Sequence, residues 1–225
     1  MIVPAFLLSR LWEGLGGTLP GIDAQRRMAP RPRPGWYPGR TPPEGARDGA
    51  GLILLYPHRH HLHVVLTVRK RDLAQHAGQV SLPGGAVEPP EDPIAAALRE
   101  AHEEVGVDPG AVTVLGRLTP LHIPASGFVL HAVVGHAAAR PDLRADAREV
   151  ERILEVPLDE LRDPARVLVE QRRLVGRLRE VPYFDVDGEK VWGATAMILA
   201  ELLWLLGTPP DPFGQAEEDS GSDPV

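Results

Sequence analysis

Hydrophobic positions along the chain follow two periods. Residues 51–56 and 63–69 are short runs rich in Leu, Ile and Val, which predict two strands separated by PHRHHLH. The same signature predicts strands at 112–118, at 128–136 after a 124–127 turn, and at 150–156, with a short helix at 158–162. Residues 166–174 and 181–186 read as paired strands, and Asp187-Gly188 is a tight-turn signal into 190–192. Residues 194–206 form a helix that is apolar nearly all round, interrupted by Glu201. At 13 residues it is shorter than the about 20 a bilayer span needs. It reads as a core helix, with one face available for a homodimer contact.

Between residues 85 and 107 the period changes to that of an amphipathic helix preceded by a Pro/Gly loop. Asp92 is suited to cap the helix, Pro93 to open it and Gly106 to end it in a left-handed turn. At about 100° per residue, Ile94, Leu98, Ala101 and Val105 fall on one face. Glu100, Glu103 and Glu104 fall on the opposite face, one turn apart.

The ends of the chain read differently. Residues 2–16 are amphipathic and lack a positive leading region, so they predict a small helix packed on the domain and no secretory signal. Residues 29–43 contain Pro30, Pro32, Pro34, Pro38, Pro42 and Pro43, the composition of an extended connector. Residues 208–225 are polar, acidic and rich in Pro and Gly, which predicts disorder. The division expected is therefore 1–47 as amphipathic segment and connector, 48–207 as one domain, and 208–225 as tail. No internal repeat is apparent. Strands on both sides of a central helix, with a second apolar helix at the end, predict an α/β or α+β fold with a covered sheet.

The glutamates bring in chemistry. Three carboxylates on one helix face repel one another, and no basic residue stands four positions on to relieve them. A solvated acidic face is the plain alternative. A hard divalent ion such as Mg²⁺ relieves the repulsion better, binding one or two carboxylates together with substrate phosphates. His58, His60, His61 and His63 have no acidic or Cys companion in the sequence around them, so they predict a polar hairpin turn.

The stretch GAVEPPEDPIAAALREAHEEVGV resembles the Nudix box, G-x5-E-x7-R-E-U-x-E-E-x-G-U, with U a bulky aliphatic residue. Gly85, Glu91, Arg99, Glu100, Glu103, Glu104 and Gly106 match its fixed positions, and Val107 its last aliphatic one. Ala101 is smaller than the pattern prefers. The resemblance implies a Nudix-type α/β/α sandwich with a mixed β-sheet. It implies an enzyme that uses Mg²⁺ or Mn²⁺, held by Glu100, Glu104, Glu103 and the carbonyl of Gly85. Arg99 and Glu91 pair to fix loop to helix. The general base varies in the family, leaving Glu103, Glu104 and Glu149 as catalytic candidates.

Composition narrows the partners. The absence of cysteine excludes disulfides and thiol chemistry and fits a cytoplasmic protein. The net charge is −7, and removing the five acidic residues of the last fifteen leaves the body near −2, which argues against a nucleic-acid binder. Only Lys70 and Lys190 among 24 basic residues are lysines, an arginine preference that fits a GC-rich genome. No membrane partner is indicated, and the ligand expected is a small nucleotide.

Two flanking segments point to a subfamily. VLTVRKRDLAQHAGQVSLPGG resembles the segment that precedes the box in coenzyme A pyrophosphatases, matching at Thr67, Arg69, His76, Gly78, Gln79, Val80 and Pro83. It departs at Lys70, Ala74 and Leu82. Downstream, EVERILEVPLDEL and YFDVDGEKVWGATAMIL resemble the same subfamily, whose last helix opens with W-G-x-T-A. The resemblance implies cleavage of the diphosphate of coenzyme A into 4′-phosphopantetheine and 3′,5′-ADP, with Arg69, Lys70 and Arg71 as candidates for binding the substrate. Two other readings stand beside it: hydrolysis of another nucleoside diphosphate conjugate, such as ADP-ribose or a dinucleotide, and a silent module that senses a nucleotide.

Overall fold

The computed structural model describes residues 3–32, 42, 44–71 and 78–214. Helices α1 (Val3–Gly16) and α2 (Ile22–Gln25) open the chain. Strands β1 (Arg47–His58), β2 (His61–Arg69), β3 (Val80–Ser81) and β4 (Gly84–Ala86) lead into helix α3 (Pro93–Val105). After it come β5 (Val112–Arg117), β6 (Leu121–Ile123), β7 (Phe128–Ala137), β8 (Val150–Pro157) and α4 (Leu158–Arg162). Strands β9 (Val167–Leu174), β10 (Arg177–Val186) and β11 (Glu189–Trp192) precede the final helix α5 (Gly193–Leu205).

Eight strands form one mixed sheet, with β3, β2, β1, β7 and β5 in order and β4, β6 and β8 paired to β1, β7 and β2. β1 and β7 run parallel, whereas the other pairs are antiparallel. β1 is buried on both faces: Leu52, Leu54 and Tyr56 face α3, while Ile53 and Leu55 face the layer built from α1, α5 and β10. This is the expected sandwich, and a doubly covered strand explains why 51–56 reads as a continuous apolar run. The β1–β2 turn has positive φ at both Arg59 (46°) and His60 (70°), the two-residue hairpin geometry whose twist matches its strands. The fold does bring one acidic companion to these histidines, Asp159 at 2.8 Å from His61, while the Tyr56 ring stacks on His63. Among the described residues they form no metal-ligating group of three.

Residues 3–32 contribute to the core, since Leu7, Leu11 and Met28 are buried with α5. Glu201, fully buried, explains the polar break in α5: it accepts hydrogen bonds from Gly21 N (3.2 Å), Gln25 Nε2 (2.8 Å), Thr119 N (3.2 Å) and Thr119 Oγ1 (2.7 Å). Residues 195–203 of α5 are all buried within this one chain, and Ala194, Trp204 and Leu205 at its ends are partly exposed. Most of the proline connector (33–41 and 43) lies outside the described residues, as does the tail from 215. The first residues of the expected tail are docked: Arg27 bonds the Pro210 carbonyl at 3.2 Å and Arg31 lies 4.0 Å over the Phe213 ring. No helix among the described residues is long and apolar enough to cross a membrane.

Candidate active site

Helix α3 begins and ends where its caps dictate. Asp92 Oδ1 accepts from the N–H groups of Ile94 (2.8 Å) and Ala95 (2.9 Å), and Gly106 closes the helix at φ 74°. Its buried face differs from the expected one. Ala96, Ala97, Ala101 and Val105 form the contact with the sheet, and Ile94 and Leu98 are only partly buried. Small side chains let the helix lie close to β1, so the buried stripe rotates towards the alanines and takes Glu104 with it. Only 4% of the Glu104 side chain is exposed. The three glutamates therefore do not share one solvated face: Glu103 is exposed, Glu100 lies at the edge and Glu104 points inward.

Backbone from β4 completes the inner side. The Gly84 N–H donates to Glu104 Oε2 at 3.1 Å. Gly84 packs so tightly on β1 that a Cβ there would lie 2.3 Å from the Ala50 carbonyl oxygen. A Cβ on Gly85 would lie 2.4 Å from Glu100 Oε1, so the carboxylate of Glu100 occupies the space that only glycine leaves.

Arg99 organises the outer side. It grips Glu91 with two bonds, Nη2 to Oε1 at 2.8 Å and Nε to Oε2 at 3.1 Å, and also bonds the Ala86 carbonyl at 3.1 Å. The loop-to-helix pair implied by the resemblance is thus present in the geometry. The same guanidinium reaches Glu100 at 2.9 Å and Glu103 at 3.4 Å. This corrects the reading that no base relieves the carboxylates: the base lies four positions before Glu103, where helix geometry serves equally well.

Arg69, at the end of β2, approaches from the sheet. Its Nη1 lies 3.5 Å from Glu104 Oε1 and its Nη2 3.8 Å from Glu149 Oε2. Glu149, 51% exposed, precedes β8 and is held by its own carbonyl, which accepts from the Lys70 N–H at 3.0 Å. Arg71 projects into solvent 3.8 Å from Glu151, and Lys70 sits at the rim with its charge felt by Asp146. Ala74 and His76 lie outside the described residues. Of the candidate substrate-binding side chains, only Arg69 is inside the site.

Electrostatics set the inner carboxylate apart. Burial pushes the Glu104 carboxyl up to about 7, against the Gly84 N–H and Arg69, with Glu100 and Glu149 adding to the rise. Burial also raises Glu100, opposed by Arg99. Hydrogen bonds from Arg99 hold Glu91 below the usual carboxylate range.

A Pro/Gly loop tied by Glu91–Arg99 to a helix that carries Glu100, Glu103 and Glu104 is a family architecture, and the NUDIX domain profile matches residues 45–178. The chain belongs to the Nudix family. It is 41% identical over 150 residues to a Salmonella paratyphi B protein named Uncharacterized Nudix hydrolase NudL, covering 65% of this chain and 77% of that one. A Photorhabdus laumondii protein of the same name is 37% identical over 142 residues, covering 62% and 74%. Among solved structures, a Nudix hydrolase from M. Smegmatis, RenU, is 27% identical with a TM-score of 0.43, over 52% of this chain and 73% of that one. As a Nudix hydrolase the protein is an enzyme acting on nucleoside diphosphate derivatives.

Nudix hydrolases generally use divalent metal ions, and the residues here fit one. The Gly85 cradle brings Glu100 against β4, and the buried Glu104 carboxyl supplies hard oxygen donors beside it. Among the described residues no three acidic or histidine side chains yet converge on one point. Glu100 and Glu104 are instead turned to Arg99, Arg69 and the Gly84 N–H.

Proposed function

We propose that the protein hydrolyses the diphosphate of coenzyme A, or a derivative of it, with Mg²⁺ or Mn²⁺ held by Glu100 and Glu104 and assisted by Glu103 and Gly85. One observation carries the choice of substrate. The two segments that resemble coenzyme A pyrophosphatases, far apart in sequence, meet in the fold: Thr195 Oγ1 donates to the Val80 carbonyl at 3.1 Å in a buried contact. Val80 in turn pairs with Val68, the neighbour of Arg69. The half-buried Trp192, with Arg172 lying 4.2 Å over its ring, opens the last helix beside this junction. The two resembling segments therefore meet at the β3 edge of the sheet, beside the strand that carries Arg69.

The reaction adds water across the diphosphate. A bond forms from water oxygen to one phosphorus, the bridging P–O bond breaks, and 4′-phosphopantetheine and 3′,5′-ADP leave. A bound divalent cation shields phosphate charge and lowers the pKa of its water. Arg69 presents positive charge to the anionic substrate from inside the site, with Lys70 at its rim. Glu149 is the general base in this reading: it is half exposed and within reach of water, whereas Glu104 is buried and bonded to Gly84. Arg99 and Glu91 hold the loop and take no part in proton transfer. The site of action is the cytoplasm.

A substrate panel tests the assignment, with coenzyme A, dephospho-coenzyme A, ADP-ribose and a dinucleotide offered with Mg²⁺ and with Mn²⁺ and products weighed by mass spectrometry. Coenzyme A is expected to give the highest kcat/KM. Preference for ADP-ribose would move the enzyme to another nucleoside diphosphate conjugate, and binding without turnover would mark a sensor.

A further inference from the structure

Arg69 is held differently from every other charged group in the site. Its backbone is fixed from both sides, with its N–H on the Gln79 carbonyl at 2.9 Å and its carbonyl accepting from Gly78 N at 3.0 Å. The β2–β8 ladder shifts register between Val68 and Arg69, the irregularity that re-aims side chains beside active sites. The alternation of β2 places Arg69 on the same side as Val65, the side that faces α3. The Cα is thus anchored and the side chain delivered to Glu104.

The guanidinium itself is loosely bound. Its contacts to Glu104 (3.5 Å) and Glu149 (3.8 Å) are longer than the about 2.7–2.9 Å of a charge-assisted hydrogen bond. Its Nε is buried with no hydrogen-bond partner among the described residues. Charge attraction places the group there, and directional bonds do not lock it. A cation coordinated by Glu104 would lie about 2 Å from the oxygen that Arg69 now faces. Two positive charges cannot share that partly desolvated space without strong repulsion.

We propose that Arg69 is the resident counter-ion of this site. It occupies Glu104 and Glu149 while no divalent cation is present, yields them when one binds, and then offers its freed guanidinium to the diphosphate of the substrate. The inference rests on the reading of Glu104 as a cation ligand and adds an order to it: cation first, anion second, with the two coupled through one side chain. The coupling is reciprocal, so the diphosphate must also tighten the cation. Arg69 acts here as a positioning residue towards the cation and as a contact towards the substrate.

Calorimetric titration of Mn²⁺ into the full chain tests this without turnover, in wild type, Arg69→Ala and Arg69→Gln, with ADP as diphosphate probe in the presence and absence of Mn²⁺. Removing the resident charge is expected to tighten Mn²⁺ by about fivefold or more in both variants. The same variants should bind ADP more weakly and lose most of the dependence of ADP binding on Mn²⁺. The glutamine variant keeps a polar side chain, so it serves if the alanine one fails to fold. Unchanged or weakened Mn²⁺ binding in a folded variant overturns the counter-ion role while leaving the metal reading intact. If wild type binds no Mn²⁺ at all, the reading of the carboxylates as a cation site falls, and the inference with it.

Discussion

Arg99 and Arg69 reach the glutamates of α3 from opposite sides, with different grips. Arg99 bonds Glu91, Glu100 and Ala86 at 2.8–3.1 Å through three of its nitrogens. Arg69 stands 3.5 and 3.8 Å from Glu104 and Glu149 and bonds neither well. The first geometry is that of a joint between loop and helix. The second is that of a charge resting where a ligand is to come. Two arginines on one row of acids can therefore do unlike work, and bond length and orientation separate them where charge does not.

The largest effect expected from this contrast falls on the carboxylates. Glu104→Gln and Glu100→Gln keep size and remove a ligand charge, so kcat/KM should fall by at least about a hundredfold with the fold intact, measured by steady-state kinetics beside a melting curve. Near-wild-type turnover in both variants would sink the catalytic assignment. Glu103→Gln should cost less, because Glu103 is exposed and its ion pair with Arg99 is long, at 3.4 Å.

Stability should separate the two arginines next. Arg99→Ala strands Glu91 and Glu100, and its unfolding free energy in metal-free buffer should drop by about 1–3 kcal/mol. Arg69→Ala should cost clearly less by the same denaturant titration. Equal losses would make Arg69 a strut like Arg99.

The smallest effect is on the pH profile of melting. The Glu104 carboxyl lies near 7 in the folded chain against an ordinary 4.5. Protonation therefore favours folding, and this contribution is complete below about pH 4.5 and lost as pH rises through about 7. Metal-free melting temperature should fall across that window, and Glu104→Gln should flatten the fall. Mn²⁺ binds the ionised carboxylate, so its stabilisation should be larger at about pH 8 than at about pH 5. A gain independent of pH would place the cation elsewhere.

Much of this was legible beforehand. Asp92, Pro93 and Gly106 mark the ends of α3 in the sequence because caps are local chemistry, and the Leu 158 helix and the Asp187-Gly188 turn are local in the same way. Strands β3, β4 and β6 were not legible, being two or three residues long, too short to show a period. The inward turn of Glu104 was hidden too, since an ideal helical wheel weights Ile94 and Leu98 above the alanines. The signal was present in Ala96, Ala97 and Ala101, which allow close approach and so choose the face. The meeting of Arg69 with Glu149 depends on the register shift between β2 and β8, a pairing no single strand reveals.

The alanine stripe has a consequence for how tightly Glu104 holds its proton in the metal-free chain. The stand-off between α3 and the sheet is set by the smallest side chains at the contact, and that height fixes how far Glu104 is removed from water. A bulkier residue at Ala101, such as the leucine or isoleucine that the box pattern admits, would lift the helix and let solvent return to the carboxylate, at a cost in packing. Glu104 would then ionise at a lower pH in the metal-free chain. One methyl group under the helix thus acts as a spacer that tunes the proton affinity of a side chain three residues away.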